Sequence, residues 1–121
     1  MIILDSSAII HLLRGTEKGK TIKNALKNEN YATTAFCVHE VLIGSEEKEA
    51  LMSFFKSISV LSFDAEASFK SIEIENTLRK KGKLIGKIDL FIASICVVHN
   101  MQLMTTDNDF KNIPDLKLLL F

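Results

Sequence analysis

Four acidic side chains sit against the most apolar stretches of this 121-residue chain. Asp5 closes the run MIILD, Glu40 stands within CVHEVLIG, Asp89 opens DLFIASICVV, and Asp107 follows LMTT. Each has an ordinary reading on its own. Asp5 and Asp89 can cap helices, Asp107 can make an Asx-type turn, and Glu40 can be a surface residue with apolar neighbours. Gathered in one pocket they would do something else. Two carboxylates about 4 Å apart repel by roughly 4 kcal/mol at an effective dielectric near 20, so such a pocket needs cations, protons or arginine partners. A donor set made only of oxygen suits Mg²⁺ or Mn²⁺ rather than zinc.

Whether the four acids meet depends on the elements that carry them. Residues 2–5 read as a buried strand, followed by helices over about 6–13 and 17–28, the second polar enough to lie on the surface. YATT reads as a short strand, AFCVHEVLIG and EEKEALMSFFKS as helices, and SVLSF as another strand. DAEASFKSIEIENTLRKKG has an acidic start, a basic end and Gly82 as its stop, which suits the helix dipole. DLFIASICVVHN is apolar almost all round and predicts a buried helix. MQLMTT is a strand, DNDF a turn or short helix, and LKLLLF a last strand. Strands alternating with helices predict an α/β/α sandwich with a mostly parallel central sheet, since parallel neighbours need helical crossovers. In such sheets ligands collect beyond the carboxyl ends of the strands, where Asp5 and Asp107 would lie.

The composition narrows the function classes. The length suits one domain covering residues 1–121. Hydrophobic residues make up 47% and charged residues 25%, as in a soluble globule. No apolar run reaches the roughly 18–20 residues of a membrane helix, and the start lacks a signal peptide's basic region and cleavage site, so the expected location is the cytoplasm. Fifteen basic residues balance fifteen acidic ones, which removes any global electrostatic case for nucleic acid. Charge is nevertheless clustered: Lys18, Lys20, Lys23 and Lys27 form one basic stretch, and Arg79, Lys80, Lys81, Lys83 and Lys87 form a denser one leading into Asp89. Either can be a solvated helix face; the second can also meet a phosphate backbone. Cys37 and Cys96 lie in apolar surroundings and read as small hydrophobes. His39-Glu40 lacks the second histidine of a zinc-protease helix, Ile43 standing in its place. His11, His39 and His99 have no ligand spacing and read as structural histidines.

Four pieces of the chain, ILDSSAII, HEVLIG, GKLIGKIDLFIAS and LMTTDNDFKNIPDLKL, resemble in order and separation the PIN domain. Within that family the likeness is to the short VapC-like ribonuclease toxins of type II toxin–antitoxin pairs. The resemblance implies an endoribonuclease dependent on Mg²⁺ or Mn²⁺, with Asp5, Glu40, Asp89 and Asp107 as its metal-binding and catalytic acids. Asp109, the second acid of TTDNDF, is an auxiliary candidate. Ser6 and Thr105 are candidate donors that orient the carboxylates, and Lys81, Lys83 and Lys87 are candidate RNA contacts. The implied partners are an RNA substrate, a small protein antitoxin and a second copy of the chain in a homodimer. Two other classes compete. A PIN-like module that binds RNA or protein without cutting would not need the whole acidic set, and a phosphoryl-transfer receiver or phosphatase would want a second aspartate that DSSAI lacks.

Overall fold

The computed structural model describes every residue from Met1 to Phe121. Its centre is a five-stranded sheet formed by β1 (Ile2–Leu4), β2 (Tyr31–Thr34), β3 (Ser59–Leu61), β4 (Gln102–Thr105) and β5 (Lys117–Leu120). The spatial order is β3-β2-β1-β4-β5 and every pair is parallel. Six helices surround it: α1 (Ser6–Arg14), α2 (Glu17–Ala25), α3 (Ala35–Ile43), α4 (Lys48–Lys56), α5 (Ala65–Lys80) and α6 (Lys87–Val98). A short 3-10 turn over Asn108–Asn112 joins β4 to β5.

From β1 the chain steps outward to β2 and β3, then crosses back to β4 on the other side of β1. Right-handed crossovers therefore place α1–α4 on one face and α5 and α6 on the other. The reversal puts a crevice between the ends of β1 and β4, where their register pairs Leu4 with Met104. Being central, β1 is covered on both faces, so Ile2, Ile3 and Leu4 are all buried without polar alternation. The same logic buries Leu90, Ile92, Ala93, Ser94, Ile95 and Cys96 of α6.

Local signals set the helix starts. Thr16, Thr34 and Asp64 occupy N-cap positions and accept backbone N–H bonds from Gly19, Cys37 and Ala67 at 3.0, 3.3 and 3.0 Å. Gly15 closes α1 in the left-handed region at φ 64. Gly19 lets α2 cross α1 closely: a Cβ there would lie 2.0 Å from the His11 carbonyl oxygen.

Several boundaries differ from the sequence reading: the strand expected over SVLSF ends at Leu61, and the apolar helix expected to begin at Asp89 begins at Lys87. The helix expected over 17–28 ends at Ala25, and Asn28 takes a left-handed turn at φ 64. The helix expected to start with EEKEA begins at Lys48, because Glu47 at its N-cap supplies no side-chain cap. The first strand ends at Leu4, one residue before Asp5. The histidines divide. His11 Nδ1 lies 2.8 Å from Thr16 Oγ1, whereas His39 and His99 are exposed and hold no structural position in the core.

Candidate active site

Asp5 is the most buried of the acids, at 4% exposure, immediately beyond β1. It occupies the N-cap position of α1, yet its carboxylate makes no capping bond. Both oxygens are taken by side chains, from Thr105 and Cys37 on distant elements and from Ser7 two residues on. Thr105 Oγ1 donates to Oδ2 at 2.7 Å and Ser7 Oγ donates to the same oxygen at 3.2 Å. The Cys37 thiol donates to Oδ1 at 3.8 Å. The backbone is fixed as well, since the Asp5 N–H donates to the Met104 carbonyl at 2.9 Å. A charge that only capped a helix would not be held this way.

The other acids reach the same sheet edge from different elements. Glu40 lies on α3, one turn after Cys37, and its Oε1 accepts from Ser6 Oγ at 3.3 Å. Asp89 is in the first turn of α6, whose N-cap is Gly86, so it is not a cap. Asp107 opens the 3-10 turn and its Oδ1 accepts the Asp109 N–H at 2.9 Å, so the Asx-turn reading is also correct for it. Its own N–H donates to Thr105 Oγ1 at 3.1 Å, linking it to the hydroxyl that holds Asp5.

Two groups of potential ligand atoms result, each lying within 4.8 Å: Asp5, Cys37 and Glu40, and Asp89, Asp107 and Asp109. Electrostatics couples them. The Asp89 carboxyl is pushed up to about 6, first by burial, then by the charges of Asp5, Asp107, Glu40 and Asp109. Asp5 is raised mainly by burial, against the lowering effect of its hydrogen bonds, and Glu40 by burial and the Asp5 charge. None of the four ion pairs in the fold involves any of these acids. Mutual repulsion is therefore left without a lysine or arginine to relieve it.

The donor set fits a hard divalent cation. Cys37 is the one sulfur within the two ligand-atom groups, and burial followed by the Asp5 charge pushes its thiol up to about 12. Its hydrogen faces Asp5 Oδ1, so the sulfur is engaged with a neighbouring carboxylate. What remains is carboxylate oxygen, the chemistry of Mg²⁺ or Mn²⁺.

The sequence reading placed Ser6 beside the acids, and its hydroxyl does bond Glu40. It passed over Ser7, which bonds Asp5, lies 3.2 Å from Thr105 Oγ1 and accepts the Thr106 N–H at 3.1 Å. It also read Cys37 only as packing. The spacing of Cys37 and Glu40, three residues apart on one helix, was the signal for a shared face. Lys81 and Lys83 are exposed in the loop before α6 and take part in no ion pair. Lys87 is paired with Glu75, which also lies 3.8 Å from Arg79, so Lys87 is less free than the sequence implied.

The PIN domain family model matches residues 2–116. Ribonuclease VapC2 of Rickettsia felis is 33% identical over 100 residues, covering 76% of this chain and 75% of the relative. Ribonuclease VapC3 of Methanocaldococcus jannaschii is 33% identical over 93 residues, covering 77% and 95%. Among solved structures, VapBC2 of Rickettsia felis bound to a promoter DNA fragment contains a chain that superposes with a TM-score of 0.82 at 28% identity, covering 100% of this chain and 99% of that one. VapBC-1 from nontypeable Haemophilus influenzae gives 0.81 at 26% identity, covering 99% and 98%. Sequence and backbone agree over nearly the whole length: this chain belongs to the PIN domain family, and its likeness within that family is to the VapC ribonucleases.

Proposed function

We propose that this protein is a Mg²⁺- or Mn²⁺-dependent endoribonuclease, the toxin of a toxin–antitoxin pair, with Asp5, Glu40, Asp89 and Asp107 as its metal-binding and catalytic acids. The observation that carries the reading is that these carboxylates fall into two adjacent groups without a lysine or arginine partner, whose charges add to burial in raising the proton affinity of Asp89. A divalent cation supplies Lewis acidity toward the scissile phosphate and toward an attacking water. The chain's own part is placement. Ser7 and Thr105 lock Asp5, Ser6 orients Glu40, and Thr105 holds the backbone of Asp107. Asp89 carries the heaviest repulsion and gains most from a cation. Asp109 acts through its backbone N–H, which fixes Asp107.

Two features support the partners. The similar solved structures are of VapBC2 and VapBC-1, the former bound to a promoter DNA fragment, which speaks for a small antitoxin. The outer side of α3 also lines an apolar cleft of about 300 Å³ with Ala35, Val38, Leu42, Met52 and Phe55, a surface suited to a protein partner or to a second copy in a homodimer. No helix is long and apolar enough to cross a membrane, and the proposed site of action is cytoplasmic RNA.

The test is RNA cleavage by purified protein. Cleavage with Mg²⁺ or Mn²⁺ and none with EDTA is expected; robust cleavage in EDTA sinks the mechanism. Expression in cells should arrest growth, and a cognate antitoxin should restore it; normal growth with soluble, active protein counts against the toxin role. Substrate contact has its own signature. Lys81→Glu and Lys83→Glu should each weaken RNA binding more at low salt than at high, lowering the slope of log affinity against log salt by about 1 per lost phosphate contact. If filter binding over a salt series gives the wild-type slope, those lysines are only a solvated face.

A further inference from the structure

Asp5 is held on both oxygens, and the two holds differ in kind. Oδ2 receives two hydroxyls, from Thr105 and Ser7. Oδ1 receives a single side-chain donor, the thiol of Cys37, a residue with no exposed surface, while the Ser6 backbone N–H also bonds the carboxylate. We propose that Cys37 is a positioning residue for the metal-binding carboxylate Asp5, its S–H fixing Oδ1 and tying the start of α3 to the end of β1. The proposal rests on the reading of Asp5 as a metal ligand.

The hydrogen bonds around the sulfur run in one direction. The Thr34 hydroxyl donates to Cys37 Sγ at 3.3 Å, and the Cys37 N–H donates to Thr34 Oγ1 at 3.3 Å. With the sulfur already accepting from Thr34, its own hydrogen is free to face Asp5. A buried carboxylate needs donors on both oxygens, because an oxygen turned toward apolar side chains loses its solvation. Cys37 meets that need on Oδ1 with the weakest donor available. A thiol orients the oxygen while competing little with a cation for its lone pairs. The same residue sets the position of α3. Thr34 caps that helix, Cys37 sits in its first turn, and Glu40 follows one turn later on the same face. The Thr34–Cys37–Asp5 chain thus delivers Glu40 to Asp5 as well as orienting Asp5 itself. A residue that only filled space would need none of these bonds.

Packing and hydrogen bonding can be separated by two variants of the full chain. Cys37→Val keeps an apolar side chain of similar size and removes the donor. Cys37→Ser keeps a donor but is smaller and loses buried apolar volume. Mn²⁺ affinity by calorimetric titration and melting temperature in EDTA are the two readouts. Cys37→Val should lower Mn²⁺ affinity by about tenfold, in the range typical of residues that orient a ligand, with little loss of melting temperature. Cys37→Ser should melt lower yet keep most of the affinity. Wild-type affinity in Cys37→Val, or affinities that merely track melting temperature, overturn the positioning role and leave the metal site standing. A wild type that binds no Mn²⁺ overturns both. An infrared measurement needs no metal: the S–H stretch that disappears in Cys37→Ser should move to higher frequency in Asp5→Asn, where the acceptor loses its charge. A band that stays in place also overturns the proposal.

Discussion

Asp5→Asn and Asp89→Asn each reduce Mg²⁺- or Mn²⁺-dependent RNA cleavage by about a thousandfold, with the circular dichroism spectrum unchanged. The shape of the side chain is preserved in both, so the loss isolates its charge and its second oxygen. An amide turns an N–H toward a cation and is a poor ligand for a hard divalent ion. Preorganised charge at the reacting centre is worth several kcal/mol, and removing one such group costs on the order of 10²–10³ in rate. Asp109→Asn provides the contrast. Asp109 is the exposed member of its ligand-atom group, and its backbone N–H, which the substitution keeps, holds Asp107, so the loss should stay within about tenfold. Single-turnover cleavage of one RNA by the three variants checks the ranking. Equal activity in wild type and Asp89→Asn removes Asp89 from the site.

The second large effect appears without substrate. In the metal-free fold the carboxylates repel one another, and Asp89→Asn removes the charge that feels most of its neighbours. The variant should be more stable than wild type by about 1 kcal/mol, after discounting for solvent screening of a half-exposed group. For a domain of this size that is roughly 3–5 °C in melting temperature. The sign of the pH dependence follows from the raised folded pKa. Asp89 titrates near 3.8 in the unfolded chain and at about 6 in the fold, so between those values the fold binds more protons. Stability of the apo protein therefore rises as pH falls from about 6 toward 3.8, and above 6 the full penalty is present. The advantage of Asp89→Asn should be largest above that window and vanish below it. Mg²⁺ stabilises whichever state holds it, by about 2.7 kcal/mol at a hundred times its dissociation constant, and Asp89→Asn should lose most of that gain. Melting curves that show the variant less stable at every pH, with an equal Mg²⁺ shift in both proteins, identify Asp89 as an ordinary first-turn acid.

Most of this site could be read from the chain because its acids coincide with changes of hydrophobic period. Ile2–Leu4 is a short apolar run and Gln102–Thr105 has Leu103 and Met104 at its centre, with Asp5 and Asp107 one and two residues beyond the strand ends, and the apolar surface of α6 leaves Asp89 conspicuous in its first turn. YATT and AFCVHEVLI fall on β2 and α3 as expected, since Thr34 is both a strand residue and an N-cap. What could not be read were contacts between elements distant in sequence. Ser6 and Ser7 are equivalent as letters, but α1 turns Ser6 toward Glu40 on α3 and Ser7 toward Thr105 on β4. The Cys37–Asp5 bond depends on how α3 packs over β1, which no local pattern specifies. The pairing of Lys87 with Glu75 is of the same kind, joining two helices that meet only in the fold. Helix ends failed where capping is weak, as at Glu47.

The central claim is that four carboxylates from four elements make one site for a hard divalent cation. Calorimetric titration of Mn²⁺ into EDTA-stripped wild type and Asp89→Asn tests it most directly. Saturable binding by the wild type, weakened at least about tenfold in the variant, is the expected result. No saturable binding by folded wild type, or the same affinity in both proteins, would contradict it.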